Sequence, residues 1–443
     1  MENQYAVYLR CSNYDQLPTV IAPIKFIHAA DIHLDSALRG LERYEGAPVD
    51  EIRSATRRAF DNLVQLAIDE QVDFVLLAGD LYDGDWRDYN TGLYFVGRMQ
   101  RLHAASIPVF IVAGNHDAAS QITKRLRLPD NITLFSTRNA ETVILDKLGV
   151  AIHGQGFPTR AVTEDLSRGY PQGDAQLFNI GLLHTSLDGK PGHEPYAPCS
   201  VDGLRSRGYD YWALGHVHQR EVISEDPWIV FPGNIQGRHI RETGPKGCTL
   251  VSVDNAIVGS VDHIDLDVMR WVQCQVDVSA CDSLDDLYED VRIRLQQSLD
   301  EADGRPVAVR IVLQGDTPLH SQLHAGMENL KQEFRALCNG SGGAGMWLEK
   351  LSLKSAPAPG GEVLASNDEA LGGLLGVIRD FEVDETAAAS LLDEIAALGG
   401  KLPPELCSGD DGYDPADPRQ LGEILEDVKE LLVNRLLVTE GGG

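Results

Sequence analysis

Phe26-Ile27-His28-Ala29-Ala30-Asp31-Ile32-His33-Leu34 carries a sharp change of character: an apolar run closes on an aspartate and a histidine two positions apart. Such a run, six residues long and ended by polar groups, reads as a buried strand. Downstream, Ile52, Ala55, Ala59, Leu63, Leu66 and Ala67 recur at helical spacing before a second apolar run at 73–78. Strand, helix and strand in that order predict a right-handed β-α-β unit. Further short apolar runs at 108–113, 178–183, 209–214 and 228–231 end in Asp, Gly, His or Pro. Residues 24–265 therefore read as an α/β domain with helices covering a sheet.

Five motifs stand where these strands are expected to end. They are Asp31-Ile32-His33, Gly79-Asp80-Leu81-Tyr82-Asp83, Gly114-Asn115-His116-Asp117, the lone His184, and Gly215-His216-Val217-His218. Groups beyond the carboxyl ends of strands can converge although they are distant in sequence. If the segments are locally extended, Asp31 with His33, and His216 with His218, point to one side in pairs. Flanking glycines would let the chain turn sharply there. Asp, Asn and neutral His suit Mn, Fe or Zn, whereas Mg prefers a nearly all-oxygen shell. Six or seven such donors exceed one closed zinc site. They fit a pair of divalent ions about 3.5–4 Å apart, the arrangement that clamps an in-line phosphoryl displacement.

In this order the motifs resemble the signature of the calcineurin-like metallophosphoesterase family, D-x-H, GDxxD, GNHD or GNHE, a lone His, and GHxH. The resemblance implies a β-sandwich flanked by helices. It also implies that Asp31, His33, Asp80 and His218 hold one metal while Asp80, Asn115, His184 and His216 hold the other, with Asp80 as the bridge. His116 would stand beside the scissile phosphate, oriented by Asp83. The opening strand and Phe231-Pro232-Gly233-Asn234-Ile235-Gln236-Gly237-Arg238-His239 are most similar to the SbcD and YhaO branch of DNA repair exonucleases. That branch implies two Mn ions, a DNA substrate and a coiled-coil SMC-like ATPase of the SbcC and YhaN type as partner. A homodimer is a further expectation. Some nucleases of the wider family carry His where Asp83 stands here.

The rest of the chain divides into an N-terminal extension (1–23), a small α/β capping domain (266–355) and an acidic helical C-terminal region (356–443). In the capping domain, strands are expected at 272–278, 307–313 and 346–353, with helices at 284–299 and 320–337. Ala356-Pro357-Ala358-Pro359-Gly360-Gly361 reads as a linker, followed by apolar stripes on helices at 371–381, 385–398 and 418–437. No stretch resembles a secretory signal or a membrane span, and a cytoplasmic protein is expected. The seven cysteines are scattered and never form a CxxC pair, which fits reduced thiols.

With 38 Lys and Arg against 67 Asp and Glu, the net charge of −29 argues against a broad basic surface that coats nucleic acid. About 19 acids against 5 bases lie from Ala356 onward, so roughly half of the excess sits in the C-terminal region. The same metal site would serve a small-molecule phosphodiesterase or phosphatase, and the capping domain is the feature that leans toward a polymer. A non-catalytic scaffold for an ATPase conflicts with the intact His116 and the complete donor set.

Among neighbouring residues, His28 and His153 read as buried structural histidines, and Asp35 and Asp117 as turn or supporting acceptors. Arg238, Arg241 and Lys246 would either meet phosphates at the rim or lie in a solvated loop. The cluster of Lys124, Arg125 and Arg127 reads as a helix surface.

Overall fold

The computed structural model describes residues 8–10, 23–36, 49–82, 89–119, 127–188, 196–340 and 345–358, with scattered helical positions between 373 and 432. Asp83, Lys124, Arg125, the linker at 359–361 and most of the expected C-terminal helices lie outside the described residues.

In chain order, β1 (Tyr8–Arg10) and β2 (Ile24–Ala29) lead through helix α1 (Val49–Asp69) to β3 (Phe74–Ala78), then through α2 (Tyr89–Ala104) to β4 (Val109–Val112), the short helix α3 (Asn115–Ala119) and β5 (Ile132–Leu134). Next come β6 (Glu141–Leu145), β7 (Val150–Gln155), β8 (Phe178–His184), helix α4 (Val201–Arg205) and β9 (Tyr211–Gly215). β10 (Glu221–Glu225), β11 (Trp228–Phe231), β12 (Gly247–Asp254) and β13 (Ile257–Asp265) complete two sheets. One runs β1-β6-β7-β8-β9-β11-β10 and the other β13-β12-β2-β3-β4-β5.

The expected β-α-β unit is present: β2 pairs in parallel with β3 across α1, with Phe26 opposite Phe74 and Ala29 opposite Leu77. Alternation along β2 then fixes which residue faces what. Phe26 packs with Phe74 and Phe110 of its own sheet and with Ile180, Tyr211 and Val230 of the other, so the two sheets share one apolar layer. Phe26 stacks on Phe74 at 5.0 Å and meets the edge of Tyr211 at 5.3 Å. On the opposite face Ile27, Ala29, Val75 and Leu77 pack against Ala59, Phe60 and Leu63 of α1 and Phe95 and Met99 of α2. These strands are covered on both faces, which is why they are continuous apolar runs in sequence.

β6, β12 and β13 escape the sequence pattern; β6 pairs antiparallel with β7, the apolar strand that carries His153, and β12 with β13. β13 has no fully buried residue and carries Gly259, Ser260 and Asp262, so it lacks the apolar run that marks a covered strand. β12 is antiparallel to β2 and extends its sheet on that side.

Strands β14 (Arg270–Asp277), β15 (Val307–Thr317) and β16 (Met346–Pro357) form a separate three-stranded sheet in that order. Helix α5 (Leu284–Glu301) lies between the first two in sequence. The single helix expected at 320–337 is two, α6 (His320–Ala325) and α7 (Met327–Gly340), separated at Gly326, whose N–H donates to Gln322 O at 2.9 Å. β16 continues through Pro357, so the first two residues read as linker are strand. By contacts the chain forms two compact units: Met1–Gln273 with Gln297–Arg310 and Gly342–Glu349, and Cys274–Gln296 with Ile311–Ser341 and Lys350–Gly443. Within the second unit α5 buries Leu287, Val291 and Leu295, and α7 buries Leu330, Phe334 and Cys338. Five cysteines, Cys199, Cys248, Cys274, Cys281 and Cys338, are free and buried. Among the described residues no helix is long and apolar enough to cross a membrane.

Candidate metal centre

β2, β3 and β4 of one sheet and β8 and β9 of the other end close together, and the five motifs begin there. The pairing of β2 with β3 continues past the strands. Asp31 N–H donates to Gly79 O (3.1 Å), His33 N–H to Asp80 O (3.0 Å) and Leu34 N–H to Leu81 O (2.9 Å). The backbone between these bonds is not extended. Asp31 (φ 51°), His33 (φ 44°), Asp80 (φ 51°) and His216 (φ 107°) lie in the left-handed region. Asp31 and His33 therefore converge because the chain turns at each of them, and not through the alternation of an extended segment. For residues other than glycine such conformations cost about 1–3 kcal/mol each and persist where surrounding bonds impose them.

Glycine is required at two close approaches beside the site, Gly215 of β9 against the end of β3 in the other sheet and Gly114 after β4 against Asp80 in the neighbouring loop. A Cβ on Gly215 would lie 1.9 Å from the Ala78 carbonyl, and one on Gly114 would lie 2.2 Å from Asp80 Oδ1. The first neighbour is main chain and cannot yield. Gly215→Ala is expected to destabilise the first unit by about 1–3 kcal/mol or more through overpacking. A denaturant midpoint equal to that of the parent protein would contradict this.

The side chains form three overlapping donor groups: Asp31 with His33 and His218, Asp31 with Asp80 and His184, and His33 with Asp80 and His116, the donor atoms within each group lying within 4.8 Å of one another. Asp80 Oδ2 stands 4.0 Å from His33 Nε2 and 3.5 Å from His184 Nε2, with an imidazole on either side. Its other oxygen, Oδ1, accepts the main-chain N–H of His116 at 2.9 Å. His33 Nε2 and His218 Nε2 approach to 3.2 Å, and His218 Nε2 lies 3.7 Å from Asp31 Oδ1. Asn115 Oδ1 is 2.9 Å from His184 Nε2. His216 stands beside these groups: its main-chain N–H donates to Asp31 Oδ2 (3.0 Å), and its ring centre is 5.2 Å from that of His184. The His116 ring, half-buried, lies 5.0 Å from the ring of His33.

The electrostatics of this cluster call for cations. Burial, and then the nearby Asp80 charge, hold the Asp31 carboxyl well above the usual carboxylate range. Burial also raises Asp80, against the opposing influence of His116. Asp31 Oδ1 is buried and has no hydrogen-bond partner among the described residues. The His184 ring is deprotonated at one nitrogen, since burial pushes it down to about 3. Its Nδ1–H donates to the Ala78 carbonyl at 2.8 Å, so the Nε2 lone pair faces the oxygens of Asp80 and Asn115. Lone pairs and carboxylates aimed at one another inside a buried space repel, and a divalent cation between them converts that repulsion into coordination. The residues present thus fit a dinuclear divalent site.

Supporting contacts explain several neighbours. Asp117 Oδ1 accepts the N–H groups of Leu81 (3.0 Å) and Tyr82 (3.1 Å) while Oδ2 accepts that of Gly114 (3.0 Å), tying two motif loops together. Burial raises its carboxyl to about 7. Asp35 receives Arg57 in a two-pronged ion pair, at 2.6 and 2.5 Å, and the Thr91 hydroxyl. His28 is a structural histidine, bonded to Tyr211 Oη and Leu214 O, each at 3.0 Å. His153 is another, buried between Thr142 and Asn179.

Lys246 does not meet the rim: it is buried, and its Nζ donates to His218 O at 3.0 Å. Arg238 is also engaged, through its main-chain N–H (2.7 Å) and guanidinium (3.2 Å), by Glu242. Glu242 was not among the expected site residues. It is buried, and its Oε1 accepts from His218 Nδ1–H at 2.7 Å while Oε2 accepts from Asn234 Nδ2 at 2.7 Å. Burial alone would raise this carboxyl, but Arg238 and His218 outweigh it and hold it well below the usual range. No motif marks Glu242 in sequence; the loop from β11 to β12 returns it to the back of His218.

Buried carboxylates and imidazoles gathered at the strand ends of both sheets define a candidate centre for divalent metal. A family model for calcineurin-like phosphoesterases matches residues 24–220, and one described as the middle domain of metallophosphoesterase YhaO matches residues 271–356. Over 306 residues the chain is 37% identical to a protein described as uncharacterized metallophosphoesterase YhaO from Bacillus subtilis (strain 168), covering 68% of this chain and 74% of that one. Over 311 residues it is 26% identical to the DNA double-strand break repair protein Mre11 of Sulfurisphaera tokodaii, covering 66% and 73%. The chain belongs to the calcineurin-like metallophosphoesterase family and carries a metal-dependent hydrolase site.

Proposed function

We propose that this chain hydrolyses phosphodiester bonds in DNA at a two-metal centre. The observation that carries the two-metal reading is the placement of Asp80 Oδ2 between His33 Nε2 and His184 Nε2. Asp31, His33, Asp80 and His218 would hold one ion, and Asp80, Asn115, His184 and His216 the other. When bound, such ions lower the pKa of water toward neutrality, neutralise phosphate oxygens and orient an in-line displacement. Manganese is the metal we assign, and the same donors suit iron or zinc. His116, outside both ligand sets, is assigned to the leaving oxygen, where it delivers a proton.

DNA is favoured by the similarity to the Mre11 repair protein, which spans 311 residues, more than residues 24–220 can hold. The likeness therefore extends beyond the phosphoesterase domain. By the same resemblance to the SbcD and YhaO branch, a coiled-coil SMC-like ATPase is the partner we assign. The net charge of −29 favours a second reading, a small-molecule diesterase using the same donors.

Incubation with Mn and linear duplex DNA, single-stranded DNA or a small chromogenic diester separates the two. The DNA reading predicts metal-dependent release of nucleotides or fragments from at least one DNA. Turnover of the small diester alone would contradict the DNA assignment and leave the hydrolytic site standing.

A further inference from the structure

We infer that Glu242 is a positioning residue for one of the two ions: it fixes the ring of His218 so that Nε2, and not Nδ1, serves as the ligand atom. This rests on the two-metal reading above and adds to it a residue that none of the five motifs contains.

The geometry carries the inference. Two groups approach His218 Nδ1: Glu242 Oε1 at 2.7 Å, which can only accept, and the Arg238 guanidinium at 3.2 Å, which can only donate. The shorter contact places the proton on Nδ1, and the same guanidinium nitrogen has Glu242 Oε1 as its acceptor at 3.2 Å. The remaining nitrogen, Nε2, then points its lone pair toward His33 Nε2 at 3.2 Å and Asp31 Oδ1 at 3.7 Å, the first donor group. Glu242 is itself held by further contacts, His239 Nε2 approaching its Oε1 at 3.4 Å. Asn234 Nδ2 donates to Oε2 (2.7 Å), the Arg238 main-chain N–H donates to Oε2 (2.7 Å) and the Arg238 guanidinium donates to Oε1 (3.2 Å). Lys246 Nζ donates to the His218 carbonyl at 3.0 Å. The ring is thus clamped at its far nitrogen and at its own backbone, leaving little rotation about its side-chain bonds. His184 has the equivalent clamp in a main-chain form, Nδ1–H to the Ala78 carbonyl at 2.8 Å. Each donor set therefore contains one histidine whose tautomer is fixed from behind, by a carboxylate in one and by a carbonyl in the other. A carboxylate also makes the imidazole a stronger donor than a carbonyl does, and loss of such a partner typically lowers metal affinity about 10–100-fold.

The test is calorimetric titration of Mn into metal-free wild type, Glu242→Gln and Glu242→Ala, with 15N spectra of the histidine rings in the metal-free wild type. The expected result is a loss of roughly 10–100-fold in affinity for one ion in Glu242→Ala. The other ion should bind as in wild type. Glu242→Gln, which keeps an acceptor and the volume, should lose less. The wild-type spectrum should show His218 protonated at Nδ1 and not at Nε2, a readout that needs no variant to fold. Wild-type affinity for both ions in the variants, or a wild-type His218 protonated at Nε2, would overturn the inference. Wild type itself binding a single ion would instead count against the two-metal reading, and the effect of the variants on that ion would still decide the role of Glu242.

Discussion

Asp80→Asn is expected to remove both ions together and to lower hydrolysis by at least about 10³-fold, because metal stabilisation of the transition state is worth several kcal/mol. Asp80 is the only expected ligand assigned to both donor sets, and its Oδ2 faces an imidazole on each side. Asparagine keeps the volume and an acceptor for the His116 N–H, now received by Asp80 Oδ1 at 2.9 Å, but it lacks the charge that opposes two cations. The metal-free protein should not suffer, since Asp80 is a buried carboxylate whose burial already disfavours its charged form. The check is metal content by elemental analysis beside a thermal melt of the metal-free protein. Retention of one ion at wild-type affinity would show that Asp80 does not bridge.

His116→Asn should behave differently: both ions retained, and turnover on DNA lowered by roughly 10²–10⁴-fold, the range for a positioned general acid. His116 follows Asn115 directly at the start of α3, and its main-chain N–H is anchored on Asp80 Oδ1. Its ring nonetheless comes near enough to His33 and Asp80 to complete a third donor group, so metal content must be measured alongside turnover. A diester with a nitrophenol leaving group departs without a proton and should be affected much less than DNA, whose alkoxide leaving group is poor. Equal losses on both substrates with metals retained would leave His116 a phosphate-binding role only. Loss of one ion would make it a ligand. Asp83→Asn, at a residue outside those described, is expected to give a smaller defect in the same direction.

The motifs and the strands that present them were legible because β2, β3, β4, β8 and β9 are covered on both faces. Burial on both faces leaves continuous apolar runs, and the first polar residue after each run is a site residue. What the pattern missed has a common cause, which is that it depends on tertiary return. β13 is only partly buried along its length and lacks the apolar run by which the other strands are picked out. Glu242 reaches His218 through a loop with no periodicity, and its charge in sequence is indistinguishable from that of a solvated acid. Lys246 and Arg238 looked available for phosphate because a local reading cannot see His218 O or Glu242 across the fold. The pairing of Asp31 with His33 was legible for the wrong reason. Spacing by two suggested an extended segment, while the observed convergence comes from left-handed turns held by hydrogen bonds to the β3 loop.

One buried cluster is expected to hold two ions, both of them needed for hydrolysis. Titration of Mn into metal-free protein, with bound metal counted and diester hydrolysis assayed at each occupancy, tests it most directly. Two ions per chain are predicted, with activity appearing as the second site fills and disappearing on chelation. A single bound ion at saturation, with full activity, would contradict it.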